Sequence, residues 1–310
     1  MTVSQCLRRW SRRVLQPVVV FRRPPTCDAP VPRSVGCAPR LTFERLEDRL
    51  LLATFTVTSL SNGGAGSLRV AIVEANANAG HDTIDFQGTA SEGTILLLSE
   101  IDVTDDLTIL GNGRHRTVID AQQNSRIFDV SGAGTDLTLE GLTLRNGQTD
   151  TASQPGGAIR STATGTAAIA ISDSLVEGNS TTQSGSAGGA VFAQAASILI
   201  SRSTFRDNFT LGTSGGNSRG GAIAGGSGAI TITNSTFNGN FTQGTGSHGG
   251  AISGGQMLIV NSTVSGNSVQ GSGVDGGGIS STGNAATIVN STITLNTAAD
   301  SGGGIQSPSV

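Results

Sequence analysis

Along residues 151–310 the apolar positions fall into short alternating runs rather than helical stripes. Ile169-Ala-Ile171, Ile198-Leu-Ile200, Ile230-Thr-Ile232, Leu258-Ile-Val260 and Ile288-Val289 lie among Gly, Asn, Ser and Thr. Alternation of that length between turn residues predicts β-strands. A second signature, Gly-Gly-(Ala/Gly)-(Ile/Val), ends at Ile159, Val191, Ile223, Ile252, Ile279 and Ile305, at spacings of 32, 32, 29, 27 and 26 residues. A third, apolar-x-x-Asn, joins Val176 to Asn179, Phe205 to Asn208, Phe237 to Asn240, Val264 to Asn267 and Ile293 to Asn296. Asn146, 33 residues before Asn179, is assigned to the head of this Asn column, although its apolar neighbours Leu142 and Leu144 are shifted. Registers that recur together at one period mark a structural repeat.

A repeat of this length, with two or three short strands and no helix, closes into one coil of roughly triangular section. Coils stacked in parallel about 4.8 Å apart pair their backbones along the stack. Equivalent residues then lie above one another, so Ile, Val and Phe form apolar ladders and the turn Asn residues an amide ladder. The fold expected is all-β: a right-handed parallel β-helix, a solenoid whose coils contact only their neighbours. "TQSGSA", "LGTSGGNSR" and "TQGTGS", where repeat length varies, are expected to protrude as loops.

Residues 81–150 read as less regular coils: "DLTILGNG", "TVIDA", "RIFDV" and "DLTLEGLTLRNG" are short strands with Gly or Asn turns. The whole stack is expected to hold about seven coils, on the order of 35 Å at that rise. Residues 54–80 read as an N-terminal cap. Ser67 is placed to cap a short helix in which Leu68, Ala71, Ile72 and Ala75 share one face. Such a helix covers the open end of a sheet stack, which would otherwise present unpaired backbone groups. At the other end "SGGGIQSPSV" stops partway through a coil, so an open edge able to self-associate is expected there.

Residues 1–40 form a basic, Pro-rich leader, read as disordered or targeting. Ten of the 19 basic residues, all arginine, and four acids fall within the first 49 positions. The remainder carries nine arginines against 18 acids. A mildly acidic body without a cationic stripe argues against nucleic-acid binding. Cys6, Cys27 and Cys37 all lie in the leader, so the body has neither a disulfide framework nor a cysteine metal site. No apolar run is long enough for a transmembrane helix.

Leu46-Glu47-Asp48-Arg49 followed by Leu50-Leu51-Leu52-Ala53 (the segment 41–53) resembles the Leu-Glu-x-Arg-x-Leu-Leu motif near the N-terminus of many planctomycete surface proteins. Here Asp48 stands where that family usually has Pro. The Gly-Gly-Ala-Ile and Phe-x-x-Asn repeats resemble those of the chlamydial polymorphic outer-membrane proteins. They also resemble β-helix proteins of the pectate-lyase-like fold, and "GSLRVAIVEANANAGHDTIDF" resembles the capping segment of planctomycete members. The resemblance spans 54–310. It implies an exported, extracellular or cell-surface protein, adhesin-like or structural in the envelope, with a cell-surface polysaccharide or a protein as partner.

Enzymes on that fold need converging charged groups. From 151 to 310 there are five acids (Asp173, Glu177, Asp207, Asp275, Asp300) and four arginines, all scattered. Asp82 with Asp85, and Asp105-Asp106, read as structural pairs. His81, His115 and His248 share no catalytic or metal-ligand spacing. "GNGRHR" at 111–116 is Gly-rich, but a strand rather than a helix follows it, which does not suit a phosphate cradle. No catalytic residue, cofactor or metal is therefore expected, and the role expected is non-catalytic binding or structure. The alternative is a polysaccharide-active lyase or glycoside hydrolase sited on residues 80–150, with Arg114, Arg116 and Asp120. Asn234, Asn261 and Asn290 match glycosylation acceptor triplets, yet they recur with the repeat and are read as its turn residues. Phe237 and Phe241 each follow Phe205 and Phe209 by 32 residues, which predicts two aromatic stacks.

Overall fold

Each strand of the body pairs in parallel with the strands one coil before and one coil after, and about eight turns result. The computed structural model describes residues 52–212, 218–283 and 286–307. The basic leader, the Leu46–Arg49 motif and all three cysteines lie outside the described residues. The strands assemble into four parallel sheets of nine, eight, six and eight strands. One regular coil visits them in the order Ala168–Ser172, Leu175–Glu177, Ser180–Thr181 and Val191–Ala193, here named the first to fourth sides.

The coil has four sides, not the three expected. The cause is a left-handed residue inside the apolar-x-x-Asn motif: Gly178, Asp207, Gly239, Gly266 and Leu295 have φ of 54–66°. That residue turns the chain just before the Asn and starts a fourth strand of two or three residues. The Gly-Gly pairs have two separate causes. The first glycine is again left-handed, with φ of 61–72° at Gly156, Gly188, Gly220, Gly249, Gly276 and Gly302. The second is needed for space: a Cβ on Gly189 would lie 2.2 Å from the Gly221 carbonyl and 2.4 Å from that of Phe209.

Ile159, Val191, Ile223, Ile252, Ile279 and Ile305 stand in one column on the fourth side, which continues back through Phe128 to Ile101. Val176, Phe205, Phe237, Val264 and Ile293 form the second-side column, continuing through Leu144 and Ile119 to Ile95. Phe205 and Phe237 are fully buried and stack with centroids 4.8 Å apart. Phe209 and Phe241 stack at 4.9 Å on the third side and are only half-buried. On the first side, Met257 and Ile259 continue the inward Ile230/Ile232 pair, and Leu258 faces solvent. The run Leu258-Ile-Val260 is thus offset by one residue, which in a strand exchanges the faces.

The helix Leu68–Asn76 is capped by the Ser67 hydroxyl and buries Leu68, Ala71, Ile72 and Ala75. Arg69 donates to the Glu100 and Ser99 carbonyls, and Asn76 to that of Asp102, which pins the helix against the strand Ile101–Val103.

Inside the regular coils runs an amide ladder. The side-chain carbonyls of Asn208, Asn240, Asn267 and Asn296 each accept from both the backbone N–H and the side-chain amide of the Asn one coil earlier. Each side-chain amide also donates to a carbonyl of that earlier coil, as Asn240 does to Phe205 at 3.0 Å. Asn146 is not its head. Leu144 registers with Val176, so Gly147 takes the ladder position and its N–H donates to Asn179 Oδ1 at 2.7 Å. Asn146 occupies the left-handed turn position instead (φ 55°) and donates its amide to Asp120.

A second ladder went unread in the sequence. The hydroxyls of Ser203, Ser235, Ser262 and Ser291 each accept from the N–H of the serine one coil earlier at 3.1 Å and donate to the carbonyl two residues before themselves. This explains the Asn-Ser-Thr triplets. Asn234, Asn261 and Asn290 hold a left-handed corner (φ 48–51°) that Asp173 and Arg202 hold in earlier coils; Ser is the ladder residue, and Thr begins the next strand.

Candidate functional site

The six ion pairs among the described residues all join neighbouring coils. On the outer face of the second side, Asp120, Arg145, Glu177 and Arg206 stand in one column of alternating sign. Arg145 meets Asp120 at 2.7 Å, and Arg206 meets Glu177 at 2.5 Å. Burial pushes the Asp120 carboxyl up, but hydrogen bonds from Asn146, the Gln122 N–H and Arg145 together hold it below the usual carboxylate value.

On the fourth side, Glu100, Asp102 and Asp129 bring carboxylate oxygens within 4.8 Å of one another. Arg126 Nη1 lies 2.6 Å from Glu100, and Arg160 grips Asp129 through Nε and Nη2 at 2.8 and 2.5 Å. Gln154 Oε1 accepts from both arginines. Burial pushes the Arg126 pKa down, whereas its bond to Asp129 pushes that of Arg160 up. Two of the three carboxylates are thus ion-paired within the scaffold, and Asp102 acts on Arg160 through space.

An open basin of about 550 Å³ lies at the corner between the first and second sides. Gly113, Arg114, His115, Arg116, Asp173 and Arg202 line it. In the regular coils two residues turn this corner, Asp173 and Ser174 for example, but six residues (111–116) separate the strands Leu107–Leu110 and Thr117–Asp120. The insertion is tied down along its length. Asn112 donates its side-chain amide to the Phe86 and Ser91 carbonyls, and Gly113 N–H donates to Gly141 O. The Arg114 carbonyl accepts from Thr143 Oγ1, and the Arg116 carbonyl from Gly93 N–H. Gly141 turns the corner one coil on, at φ 66° and without a side chain. Asp173 and Arg202 follow, joined by three hydrogen bonds of 2.5–3.1 Å. The bonds from Arg202 lower the Asp173 pKa and raise that of Arg202.

Arg114 and Arg116 therefore share one site, but Asp120 does not belong to it. Asp120 lies four positions from Arg116 along an extended strand, about 13 Å at ~3.3 Å per residue, and its oxygens are engaged by Gln122, Arg145 and Asn146. Asp82 accepts from Ala53 N–H and the Asn78 side chain, and Asp106 accepts from Asp136 N–H, so both serve the backbone. His81 bonds Thr108, and His248 stands in a bridge column between Arg219 and Asp275. Sequence reasoning missed Arg202 and Asp173 as basin residues; the signal was present, since both occupy the repeat position of Asn234. No family model matches the chain, and no curated protein matches it.

Proposed function

We propose that this chain is a non-catalytic β-helix protein of the exported or cell-surface kind, adhesin-like or structural in the envelope, that binds its partner through the corner between its first and second sides. The supporting observation is the make-up of the basin. Its lining carries three arginines and a histidine, while its one carboxylate, Asp173, is already held by Arg202. General acid–base hydrolysis asks for two free carboxyl groups facing one bond; of the acids nearest this site, Asp173 and Glu92 are ion-paired with arginines. The repeat and the Leu-Glu-x-Arg-x-Leu-Leu motif, which resembles that of planctomycete surface proteins, support export.

Fractionation of source cells, with the purified chain assayed for adherence to cell envelopes and for cleavage of acidic polysaccharides, tests the proposal. Envelope or extracellular location with adherence and no cleavage is expected. Turnover that survives purification would replace this reading with that of a polysaccharide-active enzyme.

A further inference from the structure

Resting on that binding reading, and naming the chemistry of its site, we propose that the corner basin takes a tetrahedral oxyanion group, a sulfate or phosphate ester on the ligand. The argument starts from how the body uses its arginines. Arg126, Arg145, Arg160 and Arg206 are each engaged with a carboxylate of a neighbouring coil at 2.5–2.7 Å. The basin departs from that usage. Among the described residues no carboxylate forms an ion pair with Arg114, and Arg116 meets Glu92 only at 3.5 Å, with both side chains more than half exposed. A pair of that kind is screened by solvent and gives way readily to a better acceptor. Arg202 spends Nε and Nη2 on Asp173, which leaves Nη1 outside that pair.

The acids around the basin are Glu92, Asp173 and Glu140, the last acting on Arg202 through space. They oppose Arg116 and Arg202, and Asp173 also acts on Arg114 through space, so the arginine of the basin held by no ion pair among the described residues is Arg114, with His115 beside it. Two features then favour a tetrahedral anion over a planar carboxylate. One arginine fork satisfies a carboxylate, whereas a group with three or more acceptor oxygens and up to two charges uses donors from several directions. Here the donors come from the insertion and from Arg202 at the corner three coils above it, around about 550 Å³. The backbone beneath Arg114 and Arg116 is already fixed by the hydrogen bonds of Asn112, Gly113, Thr143 and Gly93. Binding therefore orders side chains only, which limits its entropic cost.

The test is titration calorimetry on the full chain at constant ionic strength, with inorganic phosphate and inorganic sulfate as probes and acetate as the planar control. Saturable one-site binding of phosphate or sulfate is expected, with acetate at least tenfold weaker. The double variant Arg114→Gln/Arg116→Gln is expected to lose at least tenfold in affinity at an unchanged unfolding midpoint. Arg206→Gln, which lies outside the basin, should bind as the parent does. Glucose 6-sulfate against glucose 6-phosphate then tells which ester is preferred, and a preference for either agrees with the proposal. Lack of saturable binding by the parent, or parent-like affinity in the double variant, overturns it. Phosphate binding without envelope adherence would remove the broader function and leave this site standing; adherence without any oxyanion binding would do the reverse.

Discussion

The regular coils from residue 151 onward and the less regular coils of 81–150 follow one backbone path but are held by different chemistry. In the regular coils the interior polar columns are Asn and Ser, and each residue is both donor and acceptor to its own kind. In the less regular coils carboxylates take the equivalent work: Asp82 receives Ala53, Asp106 receives Asp136, and Asp136 receives Ala168. The difference teaches why one region repeats and the other does not. An amide or a hydroxyl can stack on a copy of itself indefinitely. A carboxylate cannot do so indefinitely, since it only accepts and repels its like; where Asp102 stacks on Asp129, Arg160 stands next in the column. Charged columns therefore draw in arginines, as in the alternating Asp120, Arg145, Glu177 and Arg206, and they end quickly, here at Asn238. Variety concentrates in the less regular coils, and with it Arg114 and the loosely paired Arg116 of the basin.

The most severe way to break this comparison is to empty the shared core. Phe237→Ala should cost about 4 kcal/mol, the usual range for a buried aromatic. Phe241→Ala, in the half-buried stack, should cost well under half of that in the same denaturant series. Removing a ladder amide comes next. Asn240→Ala removes the partner of the Asn208 backbone N–H and of the Phe205 carbonyl, and one of the two bonds of the Asn208 side-chain amide; at 1–3 kcal/mol for a buried orphan group, the loss should reach about 3 kcal/mol. Asn146→Ala, off the ladder, gives up a single bond to Asp120 and adds left-handed backbone strain at φ 55°, and should lose about 2 kcal/mol.

Charge gives a smaller effect that depends on pH. The Asp120 carboxyl is held below its ordinary value in the folded chain, so its stabilisation is complete above about pH 4 and disappears as pH falls through the folded value. Asp120→Asn should therefore be destabilised near neutrality by about 1 kcal/mol and should converge with the parent in acid, as read from unfolding midpoints across pH. The smallest change has the opposite sign. Leu295 is a bulky residue at φ 54° with an 81% exposed side chain. Leu295→Gly should raise stability by about 0.5 kcal/mol, because the other coils place Gly, Asp or Asn there, residues that accept a left-handed backbone more readily.

Much of the scaffold was legible because it repeats. The columns ending at Ile305 and Ile293 could be read from spacing alone, and the helix from the stripe Leu68, Ala71, Ile72, Ala75. Asn146 was misplaced because an Asn at nearly the right interval outweighed the one-residue shift of Leu144, which sets the register. The fourth side stayed hidden because a single left-handed residue makes it, and Gly, Asp and Leu all occupy that position. Ion pairing was hidden for another reason. Charges 25–31 residues apart look scattered until the coils are superposed, and then Arg114, Arg116 and Arg202 fall at one corner.

The most direct test sets the two regions against each other, with denaturant unfolding and phosphate calorimetry on the same preparations of Asn240→Ala and Arg114→Gln/Arg116→Gln. The account predicts that Asn240→Ala loses about 3 kcal/mol of stability and, while folded, binds phosphate as the parent does. The arginine variant should keep its unfolding midpoint and lose at least tenfold in affinity. Parent-like phosphate binding by the arginine variant, or an undiminished midpoint for Asn240→Ala, would contradict the division between a scaffold of uncharged ladders and an arginine-lined binding corner.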